Sequence, residues 1–310
     1  MQNAADALSD VQGFGEMSVV VISGPTCSGK TAFAIKTALE TSAEIISCDS
    51  VQLYRGLDIG SAKPTAAERA QVRHHLIDVA DVRDCFDVAG YVELAKAAFD
   101  DIRARGKNVV VVGGSGFYLK SWFCAVADKI EVPEDVRAFA QEAESRGAEA
   151  LAEELLKISP DARNLVDLHN PRRTRNALER CMATGKSVGE LRAEFAKLPC
   201  PYGEFEKRFI ILDRPDSEMQ ARISERTRAM VAAGLVEETR RLLAEGLDGN
   251  PSVRNSTGYK QAADYIKNGG CDTRKLAEEI DIQTMSLVRK QRKILRAMGA
   301  QFGAVRLGNF

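Results

Sequence analysis

The stretch "VVVISGPTCSGKTAF", residues 19–33, joins four β-branched residues to a loop and a helix-compatible run. Its Gly24, Gly29, Lys30 and Thr31 match the pattern G-x-x-x-x-G-K-[ST] of a phosphate-binding loop. In such a loop, backbone N–H groups and a helix N-terminus surround phosphate oxygens. The lysine adds a positive charge, and the hydroxyl of Thr31 can hold Mg²⁺. The stretch therefore predicts a buried strand, a phosphate site and a helix, in that order.

Further strands and helices alternate along the chain and predict a parallel sheet with helices on both faces. The fold class is α/β, a P-loop NTPase-like sheet. The predicted strands are residues 19–23, 44–47, 75–79, 108–114 and 208–213. The predicted helices around them are residues 31–41, 87–105 and 216–232, and the chain after residue 216 has a helical pattern throughout.

Residues 125–201 differ from this pattern because helical segments follow one another without a strand between them. The predicted helices are residues 134–145, 148–157, 172–184 and 187–196. We expect a helical insertion domain at 125–201, placed between two strands of a core built from 17–124 and 202–310. Residues 1–16 contain no Lys or Arg and no long apolar run, so we expect a flexible N-terminus rather than a targeting peptide.

The composition is that of an ordinary soluble protein, with 45% hydrophobic and 28% charged residues among 310. No apolar stretch approaches the roughly 18–20 residues that a membrane span requires. The seven cysteines are odd in number and form no C-x-x-C, and the three histidines lack metal-ligand spacing. This argues against a disulfide framework or a zinc site and favours a cytoplasmic location.

The charge is unevenly distributed, although the net charge is only −1. Basic residues outnumber acidic ones between residues 163 and 197, and the segment 284–310 contains six Lys or Arg and no Asp or Glu. These segments are either two solvated helix faces or two surfaces for a polyanion.

Two further predicted strands end at the same edge of the sheet as the phosphate loop. Asp49 follows one of them, and Gly113, Gly114 and Ser115 end the other. Many ATPases carry a Mg²⁺-binding aspartate at the end of that second strand, where this chain has glycines and a hydroxyl. Asp49 is left as either a Mg²⁺ ligand or a group with another chemical role.

Several motifs together resemble the tRNA dimethylallyltransferases, also called tRNA isopentenyltransferases. They are "GPTCSGKT" at 24–31, "IISCDSVQLYRGLDIGSAKP" at 45–64, "HHLID" at 74–78, "VVGGSGFY" at 111–118, "NPRRTRNALE" at 170–179, "TGKS" at 184–187, "AGLVEETRRLL" at 233–243 and "GYKQAADY" at 258–265. The similarity extends over about residues 19–296. It implies transfer of a dimethylallyl group from dimethylallyl diphosphate to N6 of the adenosine immediately 3′ of the anticodon, position 37, with diphosphate released.

The resemblance also implies roles for individual residues. Asp49 would be the general base, and Lys30, Thr31 with Mg²⁺, Ser115 and Arg240 would complete the catalytic set. The diphosphate would be bound by Gly24, Pro25, Thr26, Cys27, Ser28, Gly29, Lys30 and Thr31. The tRNA-facing residues would be Asp49, Ser50, Val51, Gln52, Ser115, Arg137, Arg172, Arg173, Arg175, Arg254 and Lys260.

The chain departs from the family pattern mainly in its RNA-facing segments. Asn176 replaces an arginine, and Met285, Ser286 and Ile294 replace Arg, Gln and Trp. These differences bear on tRNA affinity and specificity more than on chemistry. The alternatives are an adenylate isopentenyltransferase acting on free nucleotides, a P-loop kinase, and a non-catalytic RNA-binding protein. We expect a monomer; the choice of tRNAs and of other prenyl donors stays open.

Overall fold

The computed structural model describes residues 18–308, so the predicted flexible segment 1–16 lies outside the described residues. The chain divides into two compact units. Residues 18–124 and 201–308 form the first unit, and residues 125–200 form the second.

The first unit is built on a parallel sheet whose strands within residues 18–308 follow the spatial order β3-β2-β4-β1-β5-β6. These strands are β1 Ser18–Ser23, β2 Ala43–Cys48, β3 His74–His75, β4 Asn108–Gly113, β5 Glu206–Leu212 and β6 Val305–Leu307. β1 lies in the centre, with Val21 paired to Val111 of β4 and to Phe209 of β5. The predicted α/β class is confirmed.

The helices of the first unit begin where the sequence supplies a cap or a glycine. Asp87, for example, accepts a hydrogen bond of 2.9 Å from the backbone of Gly90 at the start of the third helix. The helices are α1 Lys30–Glu40, α2 Ala66–Gln71, α3 Val88–Ala104, α4 Gly116–Lys120, and, after the second unit, α10 Asp216–Ala232, α11 Leu235–Glu245, α12 Pro251–Arg254, α13 Tyr259–Lys267 and α14 Thr273–Phe302.

The central strands are buried on both faces, which explains their unbroken β-branched runs. Val19 and Val21 pack into one core cluster with Phe99 of α3. Val20 and Ile22 pack into the other cluster, with Phe33 of α1. The sheet is therefore covered by helices on both sides, and its ligand-binding edge is left to the loops at the strand ends.

The second unit contains only helices among its assigned elements, which are α5 Glu134–Ser145, α6 Ala148–Ile158, α7 Ala162–Leu165, α8 Pro171–Thr184 and α9 Val188–Phe195. Leu151, Leu155, Leu178 and Leu191 are buried in its separate hydrophobic core. Asn170 caps α8 by accepting a 3.2 Å hydrogen bond from the backbone of Arg173.

Two strands differ from the sequence-based prediction. The predicted strand 75–79 is reduced to His74–His75, because Leu76 and Asp78 adopt positive φ angles of 60° and 59° that end the extended backbone. The last strand, β6, was not predicted. It has three residues and pairs Arg306 with Ile211 at the edge of the sheet. Among residues 18–308, no helix combines the length and apolar character of a membrane span.

Candidate active site

The phosphate loop connects β1 to α1 in a tight backbone conformation. Gly29 and Cys27 have positive φ angles of 95° and 65°. A Cβ atom on Gly24 would lie 2.5 Å from the carbonyl oxygen of Leu212, so no side chain fits there. α1 begins at Lys30, and the first N–H groups of a helix lack partners within the helix. The local sequence therefore builds an anion site at the carboxyl end of β1.

Side chains from α10 and α14 hold this loop from outside. Arg226 donates from Nη2 to the hydroxyl oxygen of Thr26 at 2.8 Å, and Arg222 donates from Nε to the carbonyl of Cys27 at 2.8 Å. Gln291 accepts a 2.9 Å hydrogen bond from the backbone N–H of Thr26. The sequence analysis missed all three residues. The available signal was the four-residue spacing of the two arginines, which places them on one face of the predicted helix.

A cleft of about 120 Å³ opens beside the loop. Its lining includes Lys30, Asp49 and Arg226, whose charges interact with one another, and the apolar side chains of Val51, Met230, Ile280 and Leu287. The other lining residues are Thr26, Gly60, Ser61, Gly114, Thr227, Ser256, Thr257, Gly258, Thr284 and Gln291. The cleft therefore places a charged end for a phosphate group next to an apolar surface of a size suited to a short hydrocarbon.

The Lys30 ammonium is buried between the Asp49 carboxylate and the Arg226 guanidinium. Burial lowers the pKa of Lys30 below its ordinary value; the Asp49 carboxylate opposes this shift, and the positive charge of Arg226 adds to it. The negative charge of a bound polyphosphate would stabilise the protonated form of Lys30.

Asp49 follows β2 directly, and only one of its two carboxylate oxygens, Oδ1, is held by hydrogen bonds within the described residues. Oδ1 accepts hydrogen bonds from the backbone N–H groups of Val51 at 2.9 Å and Gln52 at 3.3 Å. Oδ2 has no hydrogen-bond partner within the described chain. Asp49 therefore presents one oriented oxygen to a cleft that it lines together with Lys30.

Ser115 supports the segment that carries Asp49. Its hydroxyl oxygen accepts a 2.9 Å hydrogen bond from the backbone of Ser50 and donates to the Ser50 hydroxyl at 3.2 Å. Gly113 ends β4 two residues before Ser115. No other residue fits there, because a Cβ on Gly113 would lie 1.9 Å from the carbonyl oxygen of Cys48. Ser115 is thus placed beside the cleft as a support, and Gly114 rather than Ser115 lines the cleft wall.

Arg240, expected in the catalytic set, lies elsewhere. It is exposed on α11, whose buried face contains Leu235, Glu238 and Leu242. Arg240 is not among the residues that line the cleft, where the arginine present is Arg226. Arg226 is therefore the arginine that lies beside Lys30 and Asp49, and the catalytic role of Arg240 stays a prediction from the resemblance.

Arg254 and Lys260, expected to face RNA, are engaged in local ion pairs. Arg254 contacts Asp248 at 3.0 Å and Asp264 at 2.6 Å, and these partners raise the pKa of its guanidinium. Lys260 contacts Asp264 at 2.6 Å. Their neighbours Ser256 and Gly258 line the cleft, so the two basic residues stabilise a cleft wall.

The expected RNA-facing residues of the second unit fall into two groups. Arg137, Arg172 and Arg173 are exposed, and Arg173 lies 3.8 Å from the exposed carboxylate of Asp167. Arg175 is partly buried and contacts Glu144 at 2.7 Å, so its charge is already paired within the unit.

The protein supplies few ligands for a metal ion. Thr31 lines a cavity of about 20 Å³ together with Lys30, Ser47 and Asp49. No group of three or more His, Cys, Asp or Glu residues that could hold a metal occurs within residues 18–308. This donor set fits Mg²⁺ in the manner of a phosphate loop, where one hydroxyl, substrate oxygens and water complete the coordination.

A phosphate loop after β1, a carboxylate after β2 and a partly apolar cleft beside them define a P-loop-like fold with a candidate site for a phosphorylated ligand. Comparison with known proteins agrees: residues 52–298 match the family model for IPP transferase. The chain is 47% identical over 276 residues to the tRNA dimethylallyltransferase of Opitutus terrae, covering 89% of each chain. It is 35% identical to the enzyme of the same name from Thermotoga maritima, covering 89% of this chain and 88% of that one.

Solved structures give the same result. A tRNA isopentenylpyrophosphate transferase from Bacillus halodurans is 30% identical with a TM-score of 0.65, covering 94% of this chain and 90% of that one. A eukaryotic dimethylallyltransferase acting on tRNA shares the fold, with a TM-score of 0.82 at 23% identity over 94% of this chain and 74% of the other. The chain belongs to the IPP transferase family, whose relatives named here are tRNA dimethylallyltransferases. The resemblance seen in the sequence is therefore confirmed.

Proposed function

We propose that this protein transfers the dimethylallyl group of dimethylallyl diphosphate to N6 of adenosine 37 in tRNA and releases diphosphate. The observation that carries the proposal is the joint placement of Lys30, Asp49 and an apolar surface in one cleft. The names of the relatives supply the acceptor class and the transferred group.

The charged end of the cleft suits the leaving group. The N–H groups of the loop, the ammonium of Lys30 and the guanidinium of Arg226 surround the place where a diphosphate would accept negative charge. Val51, Met230, Ile280 and Leu287 offer apolar contacts to the five-carbon group. Thr31 would hold Mg²⁺ there, and the ion would neutralise charge that develops on the departing diphosphate.

The reaction needs a proton acceptor because the exocyclic amine of adenine is a weak nucleophile. As the amine nitrogen bonds to C1 of the donor, the C1–O bond breaks and the diphosphate keeps the electron pair. The proton lost from the amine passes to Oδ2 of Asp49, the oxygen that has no partner among the described residues. The hydrogen bonds to Oδ1 keep the carboxylate oriented for this transfer.

The tRNA acceptor is supported by the exposed arginines of the second unit. Arg137, Arg172 and Arg173 present charges suited to RNA phosphates, and a free nucleotide would not require such a surface. Because the amine of a stacked base is inaccessible in a narrow cleft, the adenosine would have to be flipped out of its stack. We expect a monomer in the cytoplasm.

The decisive experiment supplies radiolabelled dimethylallyl diphosphate with total tRNA, AMP and ATP as competing acceptors. Label should enter tRNA alone, in a modified adenosine next to the anticodon. Label in AMP or ATP would instead indicate an adenylate isopentenyltransferase. Release of ADP or inorganic phosphate from ATP without a prenylated product would indicate a kinase.

A further inference from the structure

Glu238 of α11 is a buried carboxylate that collects an unusual number of hydrogen bonds. The backbone N–H groups of Asp58, Ile59 and Gly60 donate to its two oxygens at 3.0–3.2 Å. The hydroxyl of Tyr259 donates to Oε1 at 2.6 Å. A buried charge is tolerated only when it is satisfied in this way, and bonds to a charged acceptor are among the strongest in proteins.

The turn that Glu238 holds is connected directly to the segment of Asp49. The two amide hydrogens of Gln52 contact the carbonyls of Ser61 and Ala62, each at 3.3 Å. The amide oxygen of Gln52 accepts from the hydroxyl of Ser47 in β2 at 3.3 Å. Both the amide nitrogen and the amide oxygen of Gln52 therefore form hydrogen bonds inside the protein, and these bonds link β2 to the turn 58–62.

The chain of contacts ends at the reacting carboxylate. The backbone N–H of Gln52 is one of the two donors to Oδ1 of Asp49. Glu238, the turn 58–62, Gln52 and Asp49 thus form one continuous hydrogen-bonded path. The same turn contributes Gly60 and Ser61 to the cleft, while Gly258, next to Tyr259, forms part of the cleft lining.

The turn 58–62 packs closely against Tyr259. A Cβ on Gly60 would lie 2.6 Å from the ring of Tyr259. Burial, together with the Glu238 carboxylate, raises the pKa of Tyr259, so its hydroxyl stays protonated and remains a donor.

We infer that Glu238 is a positioning residue for the transfer reaction, acting through the turn 58–62 and Gln52 to orient the carboxylate of Asp49. This inference rests on the proposed function, in which Asp49 accepts the proton of the amine. A displacement of about 1 Å at a reacting group can cost on the order of 100-fold in rate, so a loosened turn affects the chemical step more than binding.

The first test compares Glu238→Gln with Glu237→Gln, a matched change at the exposed neighbour on the same helix. Single-turnover prenyl transfer is measured with donor and tRNA saturating, together with both KM values. Glu238→Gln should lower the rate on the order of 10–100-fold and leave each KM within a few-fold. Glu237→Gln should behave as the parent. Equal rates for the two variants, or a change confined to KM, would overturn the inference.

The second test separates positioning from general stability. Glu238→Gln is combined with Asp49→Ala; if Glu238 acts through Asp49, it should lower the rate no further in that background. Additive losses would overturn the role of Glu238 while leaving Asp49 as the base. A full rate for Asp49→Ala alone would refute the proposed base and this inference together. Tyr259→Phe removes one donor to Glu238 and serves in the same cycle if Glu238→Gln does not fold.

Discussion

The guanidinium of Arg226 donates a 2.8 Å hydrogen bond from Nη2 to the hydroxyl oxygen of Thr26, although the two residues are 200 positions apart in the chain. One turn earlier on α10, Arg222 bonds the carbonyl of Cys27. The helix therefore holds the phosphate loop and brings a second cation near Lys30. A guanidinium suits this position because its planar donors match phosphate oxygens.

Replacing Arg226 by Ala should weaken donor binding. A hydrogen bond to a charged group contributes about 1.5–3 kcal/mol, so the donor KM should rise on the order of 10–100-fold while the KM for tRNA stays nearly constant. Steady-state kinetics with each substrate varied in turn, and direct binding of dimethylallyl diphosphate, measure this effect.

The controls for this prediction are two arginines outside the cleft. Arg228→Ala alters an exposed residue on the same helix, and Arg240→Ala alters the residue that the resemblance implied. Neither should change the donor KM. A raised donor KM for Arg240→Ala with a normal value for Arg226→Ala would instead support the assignment of Arg240 made from the sequence.

Removing the carboxylate of Asp49 should slow the chemical step. A positioned proton acceptor contributes on the order of 10²–10⁴-fold, so Asp49→Ala should lower kcat by that factor. Donor affinity should stay within a few-fold, because the loop, Lys30 and Arg226 are unchanged. The measurement is single-turnover transfer with direct donor binding, repeated across a Mg²⁺ titration.

The Mg²⁺ titration distinguishes the two roles that the sequence left open for Asp49. A base cannot be replaced by more metal, so the rate of Asp49→Ala should stay low at every Mg²⁺ concentration. Recovery of rate and donor affinity at high Mg²⁺ would make Asp49 a metal ligand, with the reaction class unaffected.

The features that sequence analysis predicted well are those set by local physics. The runs at Val19 and Val110 must form buried strands because they are β-branched and apolar throughout. The phosphate loop is contained in eight consecutive residues. Asp49 directly follows a strand, and in a parallel sheet the residues that follow the strands lie at the same edge as the phosphate loop.

The features that it missed depend on contacts that form only when the chain has folded. Arg226 and Arg240 are both helical arginines, and only the packing of α10 against the loop selects the first. Arg254 resembles a free basic residue until Asp248 and Asp264 are folded beside it. β6 is too short to produce a period, and it exists because β5 offers an edge.

The exposed arginines of α8 should control the salt dependence of tRNA binding. The slope of log affinity against log salt is roughly −0.7 to −0.9 for each phosphate neutralised. Replacing Arg172 and Arg173 by Ala should reduce the slope, raise the KM for tRNA and leave the donor KM unchanged. Filter binding from low to physiological salt provides the slope.

Arg175 is the matched comparison because it lies on the same helix but forms a closer and less exposed ion pair, at 2.7 Å from Glu144, than the 3.8 Å pair of Arg173 and Asp167. Arg175→Ala should lower thermal stability with little change in slope. If this variant flattens the slope and the Arg172 and Arg173 variant does not, the pairing with Glu144 does not persist when tRNA binds.

Glu44 should make stability depend on pH in the acid range. Its carboxylate contacts His75 at 2.7 Å and Arg105 at 2.9 Å, and the hydrogen bond to Arg105 lowers its pKa to about 2, with a further contribution from His75 and against the opposing effect of burial. Because the folded pKa of Glu44 lies below the ordinary value of 4.5, the stability that this carboxylate contributes is complete above about pH 4.5 and is lost as pH falls towards 2.

Glu44→Gln should therefore lower the free energy of unfolding by about 1–3 kcal/mol at pH 7, and the difference from the parent should shrink below pH 4.5. Urea unfolding from pH 7 to pH 2, with Glu40→Gln as the exposed control, measures it. If the difference in unfolding free energy between Glu44→Gln and the parent stays constant over this range, Glu44 contributes through packing. An ion pair with Arg105 would instead lose its contribution when the Glu44 carboxylate is protonated.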